Sequence, residues 1–273
     1  MKNQMTKWLL LILAACLLLT ACEHRTVTYE DTQPVDAEPI PAVPAEGIGR
    51  AVTEPRKGSP KNFTVCVDPG HGFVDGGAGQ LPDLTYLYDD HRLEKDITMS
   101  IAKKVRVALE LEGFEAVLSH DGVTRPAGDT DWNDIYSITE RCVAVNQTDA
   151  DYFISIHADY SEDDTVYGIR LYHMQSGVKI NDHSERYADS IADAIREKMT
   201  DEHPQLVDQT YDVYNSFAAV RETKMPAVLI EVGFISNEAD RAKVIREDWQ
   251  QQFAESVAAG VTKAYESLGE DHA

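Results

Sequence analysis

The chain is short of positive charge, of cysteine and of long apolar runs, and each shortage excludes something. Twenty-five Lys+Arg stand against 47 Asp+Glu over 273 residues, a formal net charge of −22. A surface so acidic repels phosphates, which excludes nucleic acid and anionic lipid headgroups as electrostatic partners. The four cysteines, Cys16, Cys22, Cys66 and Cys142, have no zinc-finger spacing. Cys66 falls in a buried-strand pattern and Cys142 in a helical one, so two buried thiols and a disulfide both stay open. No Gly-Lys-Ser/Thr follows the glycine-rich stretch after residue 68, which disfavours a phosphate cradle, and no His-Glu-x-x-His cluster exists.

The longest apolar run, Trp8 to Thr20, is too short to span a bilayer comfortably. Lys2 and Lys7 precede it and Leu19-Thr20-Ala21-Cys22 closes it, the layout of a targeting segment with a small-residue cleavage site. That ending resembles the lipobox of bacterial lipoproteins, which implies a signal peptide over 1–21 and Cys22 as the acylated anchor. Leu13-Ala14-Ala15-Cys16 fits the same pattern but would cut the apolar core short, and a plain secretory signal is the simpler alternative. From Glu23 to Lys61 periodicity is lost, and six prolines (34, 39, 41, 44, 55 and 60) stand among acids and small residues. Residues 22–61 are expected to form a tether, and at about 3.1 Å per residue in extended polyproline-like backbone its roughly 40 residues reach up to ~100 Å. The remainder, 62–273, is long enough for one domain with a full core.

Within that domain the stretch Val65 to Ala78, VCVDPGHGFVDGGA, organises the rest. An apolar run from Phe63 to Val67 ends in Asp68-Pro69-Gly70-His71-Gly72, so a buried strand delivers a histidine into a glycine-lined turn. Two more apolar runs end in the same manner, Tyr152 to Ile156 in His157 and Ala227 to Ile230 in Glu231. Open α/β sheets place their chemistry at such strand ends. A helix is expected over Leu93 to Glu112, with Glu94 on the inward stripe of Ile97, Ile101, Val105 and Ala108. An acid in a first turn often serves only the helix dipole, and that reading of Glu94 stays open. Further expectations are a strand over Glu115 to Ser119, a helix over Ile135 to Asn146, a strand over Val166 to His173, and a helix over Asp182 to Met199. Asp201 to Lys224 reads as irregular, Asn237 as the N-cap of a short helix, and Trp249 to Leu268 as the closing helix.

His71, Glu94 and His157 offer two imidazoles and a carboxylate, the ligand set of a hydrolytic zinc with a fourth position open to water. Glu231 is then the candidate general base. The other seven histidines read as ordinary core or surface residues, with His91 notable for lying just before Glu94. The residues identify no substrate contacts.

Five ordered motifs carry a resemblance: Asp68 to Gly72 through Gly77-Ala78, Glu94-Lys95-Asp96, Arg141 to Asn146, Asp151 to Ala158 (DYFISIHA) and Pro226 to Asn237 (PAVLIEVGFISN). In this order they resemble the zinc-dependent N-acetylmuramoyl-L-alanine amidases over about Phe63 to Leu268. The resemblance implies one α/β domain, a mixed and mostly parallel sheet with helices on both faces. It implies one Zn²⁺ on His71, Glu94 and His157, Glu231 as the catalytic residue, and peptidoglycan as substrate. The chain departs from the family's habit at Asp159, where asparagine is usual, at Val145-Asn146 for an Ala-Asn pair, and at Ser119-His120 for Thr-Arg. The expected protein is a lipid-anchored, periplasmic cell-envelope hydrolase, with Glu23 after the anchor favouring the outer membrane. It is expected to need no activating partner, because the chain between the Val166–His173 strand and Glu231 is short of room for an inhibitory helix. Rival readings are a zinc metallopeptidase acting within the stem peptide and a catalytically silent peptidoglycan-binding lipoprotein.

Overall fold

A computed structural model of the chain describes residues 61–80, 87, 93–122, 138–175, 183–210 and 216–270. The targeting segment, Cys22, the tether, His91 and all but the first two residues of the 121–133 loop lie outside them. Among the described residues no helix is long and apolar enough to cross a membrane.

Six strands form one sheet in the order β2-β1-β3-β6-β4-β5: β1 (Thr64–Pro69), β2 (Glu115–Leu118), β3 (Tyr152–Asp159), β4 (Arg170–Met174), β5 (Gln205–Gln209) and β6 (Ala227–Phe234). The first four of that order run parallel, and β4 pairs antiparallel with β6. Among the described residues six helices accompany them: α1 (Glu94–Leu111), α2 (Ile138–Val145), α3 (Ser184–Lys198), α4 (Ala218–Arg221), α5 (Glu238–Val244) and α6 (Glu247–Glu270). The mixed, mostly parallel sheet is the one expected.

The central strands are continuous apolar runs because both of their faces are covered. Alternate residues on β1, β3 and β6 divide between two cores. Val65, Val67, Ile154, Ile156, Val228 and Ile230 pack against α1, α3 and α6. Cys66, Phe153 and Leu229 point the other way, toward Val145 of α2 and Ala219 and Val220 of α4. Ile97, Ile101, Val105 and Leu109 of α1 are almost wholly buried, each worth about 1.5–3 kcal/mol relative to exposure, so the helical stripe seats α1 and fixes Glu94 at its start. Cys66 and Cys142 are both buried free thiols.

Three expectations are corrected. The stretch Asp201 to Lys224 is not wholly irregular: it contains β5 and α4. β5 is an edge strand with Gln205, Leu206 and Asp208 exposed, and α4 has only four residues, so neither leaves a periodic signal. β4 begins at Arg170 and not at Val166, because a turn at Asp163 to Val166 and the left-handed Gly168 (φ 101°) interrupt the extended chain. Finally, β3 and β6 run on past His157 and Glu231 to Asp159 and Phe234, with the register shifting between His157 and Asp159.

Consecutive strands diverge on either side of β1, with β2 on one flank and β3 on the other. A crevice opens at the carboxyl ends of strands where the order reverses in this way. His71 leaves β1 and His157 rides on β3 at that place.

Candidate active site

The turn after β1 is held from below. Asp68 is fully buried and accepts hydrogen bonds from Ser119 Oγ, Ser155 Oγ (2.7 Å) and Arg141 Nε (2.9 Å), which ties the end of β1 to β2, β3 and α2. Burial alone would raise its carboxyl, but Arg141, His120 and the two serines together bring it below the usual carboxylate range. The Thr98 hydroxyl donates to the Gly70 carbonyl (2.7 Å), and His120 Nε2 lies 2.8 Å from the Pro69 carbonyl. His120 is thus a buried supporting residue, as read from the sequence.

On this base the chain turns sharply. His71 has φ 62° and Phe73 φ 55°, conformations that L residues adopt at a cost of about 1–3 kcal/mol and that cluster at functional sites. Gly72 and Asp75 exchange two backbone hydrogen bonds (2.9 and 3.0 Å), which swings the Asp75 carboxylate onto His71 Nδ1 at 2.8 Å. The other Asp75 oxygen accepts from Gly77 N–H at 3.0 Å. The carboxylate fixes Nδ1 as a protonated nitrogen and turns Nε2 toward Glu94 Oε2, 3.1 Å away.

Glu94 opens α1 and is 3 % exposed. Its Oε2 accepts from Ala78 N–H (2.8 Å) and its Oε1 from Ala158 N–H (2.9 Å), while His157 Nδ1 lies 3.0 Å from Oε1. A carboxylate serving only the helix dipole would face solvent, whereas this one is clamped between the loop after β1, the end of β3 and two imidazoles. Only glycine fits beside it: a Cβ at Gly77, where φ is +69°, would stand 2.5 Å from Glu94 Oε2 and 2.6 Å from the His71 ring, and one at Gly70 would stand 2.6 Å from the His157 ring.

One ligand atom from each of His71, Glu94 and His157 lies within 4.8 Å of the other two. The His71 and His157 rings meet edge to face with centroids 5.0 Å apart, and among the described residues His157 Nε2 is buried without a hydrogen-bond partner. Burial alone would lower His71, yet Asp75 and Glu94 raise it to about 10. Burial alone would likewise raise Glu94, and the hydrogen bonds and charges of the two histidines hold it well below the usual range. The cluster draws positive charge toward its centre, and its donors are those of zinc. A metal cation fits this site.

Glu231 is the partner of His157 in the β3–β6 pairing and of Arg170 in the β6–β4 pairing. It is 6 % exposed, and among the described residues its Oε2 has no hydrogen-bond partner. Burial first, then the charges of Glu94 and Asp159, push its carboxyl well above the usual range. It shares a cleft of about 480 Å³ with His71, Glu94 and His157, and Asp75, Arg141 and Asp159 also line it. A carboxyl group with an unspent oxygen beside a cation site can take a proton from water and pass it on.

All four residues singled out from the sequence therefore come together. Asp75 and Arg170 were missed. Asp75 left one signal, an acid four residues after a candidate ligand in the same glycine-rich loop. Arg170 left none, because only the antiparallel pairing of β4 with β6 brings it opposite Glu231.

A profile of the N-acetylmuramoyl-L-alanine amidases matches residues 65–263. N-acetylmuramoyl-L-alanine amidase LytC of Bacillus subtilis is 27 % identical over 202 residues, 74 % of this chain and 35 % of that protein. A probable cell wall amidase LytH of Staphylococcus epidermidis is 29 % identical over 208 residues, 76 % of this chain and 60 % of that protein. The chain thus spans between about a third and three-fifths of the length of these relatives. Among solved structures, the N-acetylmuramoyl-L-alanine amidase of Clostridium difficile 630 aligns with a TM-score of 0.59 and 27 % identity, covering 77 % of this chain and 98 % of that one. AmiC2 of Nostoc punctiforme aligns with a TM-score of 0.58 and 26 % identity, covering 76 % and 98 %.

Proposed function

Since the chain belongs to the N-acetylmuramoyl-L-alanine amidase family, we propose that it hydrolyses the amide between the lactyl group of N-acetylmuramic acid and the L-alanine of the peptidoglycan stem. His71, Glu94 and His157 would hold one zinc ion, and Glu231 would act as general base and then general acid. The observation that carries this reading is the meeting of those three side chains within 4.8 Å, with Glu231 in register beside His157.

Zinc held there would supply Lewis acidity for the scissile carbonyl and lower the pKa of water toward 7. The rest is the work of the chain. Asp75 fixes the tautomer and tilt of His71, and the N–H groups of Ala78 and Ala158 fix the Glu94 carboxylate. Glu231 takes a proton from the water that adds to the carbonyl carbon. As the C–N bond breaks it delivers that proton to the amine nitrogen, so the carboxylate is restored and the products are a lactyl carboxylate and a free alanine amine. Its buried setting, beside Glu94 and Asp159, raises its proton affinity in the direction a general acid at neutral pH requires.

The same reading extends to the chain's setting. Residues 1–21 act as a signal peptide, Cys22 carries the lipid, and 22–61 tether a catalytic domain of 62–273 in the cell envelope, at the outer membrane. The support is the Leu19-Thr20-Ala21-Cys22 ending and the proline spacing of the segment. The reading also takes the site to need no activating partner, and what supports this is the short stretch of sequence between β4 and Glu231.

Digestion of purified sacculi by the zinc-loaded protein tests the reaction. Mass spectrometry should find stem peptides with free N-terminal alanine and glycan ending in lactyl carboxylates. New amines only within the peptides would point instead to a peptidase, and no products to a silent binding protein.

A further inference from the structure

The cleft has two unlike flanks. The β1 turn and the end of β3 line one side with Asp75 and Asp159, whereas α2, α4 and the residue before α4 line the other with Ile138, Phe217, Ala218 and Ala219, beside Arg141, whose Nε is turned to Asp68. Phe217 is the exception among these apolar residues, because the residue is 41 % exposed and nevertheless held in place. Its backbone N–H donates to Gln209 Oε1 (3.2 Å), its carbonyl accepts from Val220 and Arg221 N–H (3.1 and 3.0 Å), and its ring meets Tyr172 edge to face at 4.8 Å. Phe217 is also the N-cap of α4 and makes no side-chain capping bond, at a position where Ser, Thr, Asp or Asn is the stabilising choice. A large apolar ring held rigid in a cleft, where a capping residue is expected, breaks a local rule in the way functional sites do.

Its distance from the chemistry follows from the sheet. Tyr172 and Leu229 are paired partners across β4 and β6, and Arg170 and Glu231 are the next pair on the same face. Two residues along a strand are about 7 Å. Phe217 therefore sits on Tyr172, two residues along β4 from the partner of Glu231, and lines the same cleft.

We propose that Phe217 is the platform for the muramyl sugar, whose apolar C–H face stacks on the ring while the stem peptide leaves over the acidic flank. The inference rests on the amidase reading, which places a hexose on one side of the scissile amide and a peptide on the other. The lactyl bridge keeps the hexose a few bonds from the carbonyl, so the sugar and the scissile amide both lie in the cleft that Phe217 and Glu231 line. A neutral sugar suits an aromatic wall, whereas the opposite flank, where Asp75 holds His71 and Asp159 faces Arg170 at 3.6 Å, suits the polar stem peptide.

The test compares N-acetylmuramyl-L-alanyl-D-isoglutamine with D-lactoyl-L-alanyl-D-isoglutamine, which keeps the scissile amide and lacks the sugar, on full-length zinc-loaded protein. For Phe217→Ala, KM for the muramyl substrate should rise about tenfold with kcat little changed, the signature of lost uniform binding. kcat/KM for the lactoyl substrate should stay as in the parent, and Phe217→Trp should restore the muramyl KM. Equal losses on both substrates, or no loss on either, would overturn the proposal. Calorimetric binding in the Glu231→Gln background, which suppresses turnover, separates it from the amidase reading: that variant should bind the muramyl ligand about tenfold more tightly than the lactoyl one, and adding Phe217→Ala should erase that preference. A preference that survives in Phe217→Ala refutes the platform even if the enzyme is an amidase. A parent that cleaves neither substrate refutes the amidase reading and leaves the binding comparison to decide the platform.

Discussion

Arg141→Met should destabilise the domain far more than a surface charge change, and the reason lies in Asp68. The Asp68 carboxylate has no solvent exposure and Arg141 is 3 % exposed, with Nε 2.9 Å from Oδ1. Removing one partner of a buried pair strands the other charge, at about 3–5 kcal/mol, whereas replacing both with apolar residues of similar volume is often near neutral. Ser119 and Ser155 also donate to Asp68, so its loss leaves two hydroxyls without their acceptor, each worth about 0.5–1.5 kcal/mol net. Urea unfolding at pH 7 should show Asp68→Leu and Arg141→Met each losing about 3–5 kcal/mol. The double variant should lose less than the sum, with a coupling of about 2 kcal/mol or more. The pH dependence has a defined sign. The folded-state pKa of Asp68 is lowered, so its contribution is fully present above the unfolded value near 3.8 and fades as pH falls through the lower folded value. The parent should therefore lose stability below about pH 4 more steeply than Asp68→Asn. Additive single losses, or an Arg141→Met cost below about 1 kcal/mol, would refute the account of how the β1 turn is held.

Asp75→Ala should lower zinc affinity about 10–100-fold with the fold intact, because the hydrogen bond that orients His71 is lost; competition against a chromogenic chelator measures it, and unchanged affinity would contradict the role. Cys22→Ala should release the protein from membranes into the soluble fraction, as fractionation with immunoblotting would show. A chain beginning at Asn62 should still fold and hydrolyse sacculi, and a failure to fold would contradict the assigned boundary.

Much of the site was legible because its residues interrupt strong patterns. His71 ends an apolar strand in a glycine turn, Glu94 stands on the inward stripe of an amphipathic helix, and Glu231 interrupts a strand that is buried along its whole length. A charged residue at such a place needs a physical reason, and a cation site supplies one. What was not legible depends on pairing. β5 exposes most of its length and has no apolar alternation, and α4 is a single turn held by Phe217 and Gln209. Arg170 gains its place opposite Glu231 only when β4 joins the sheet in the antiparallel sense. Asp75 depends on a backbone reversal with left-handed His71 and Phe73, conformations that their residue types do not advertise.

The division of labour between metal binding and proton transfer is tested most directly by Glu231→Gln, assayed for zinc content and turnover on one preparation. Glutamine keeps the shape, and Glu231 is held by β3 on one side and β4 on the other without being one of the three clustered ligands. General-base catalysis contributes about 10²–10⁴-fold, so kcat should fall by at least ~100-fold while zinc stays near one per chain. Undiminished turnover, or loss of the zinc along with activity, would contradict the assignment and turn attention to Asp159, another carboxyl group on the cleft wall.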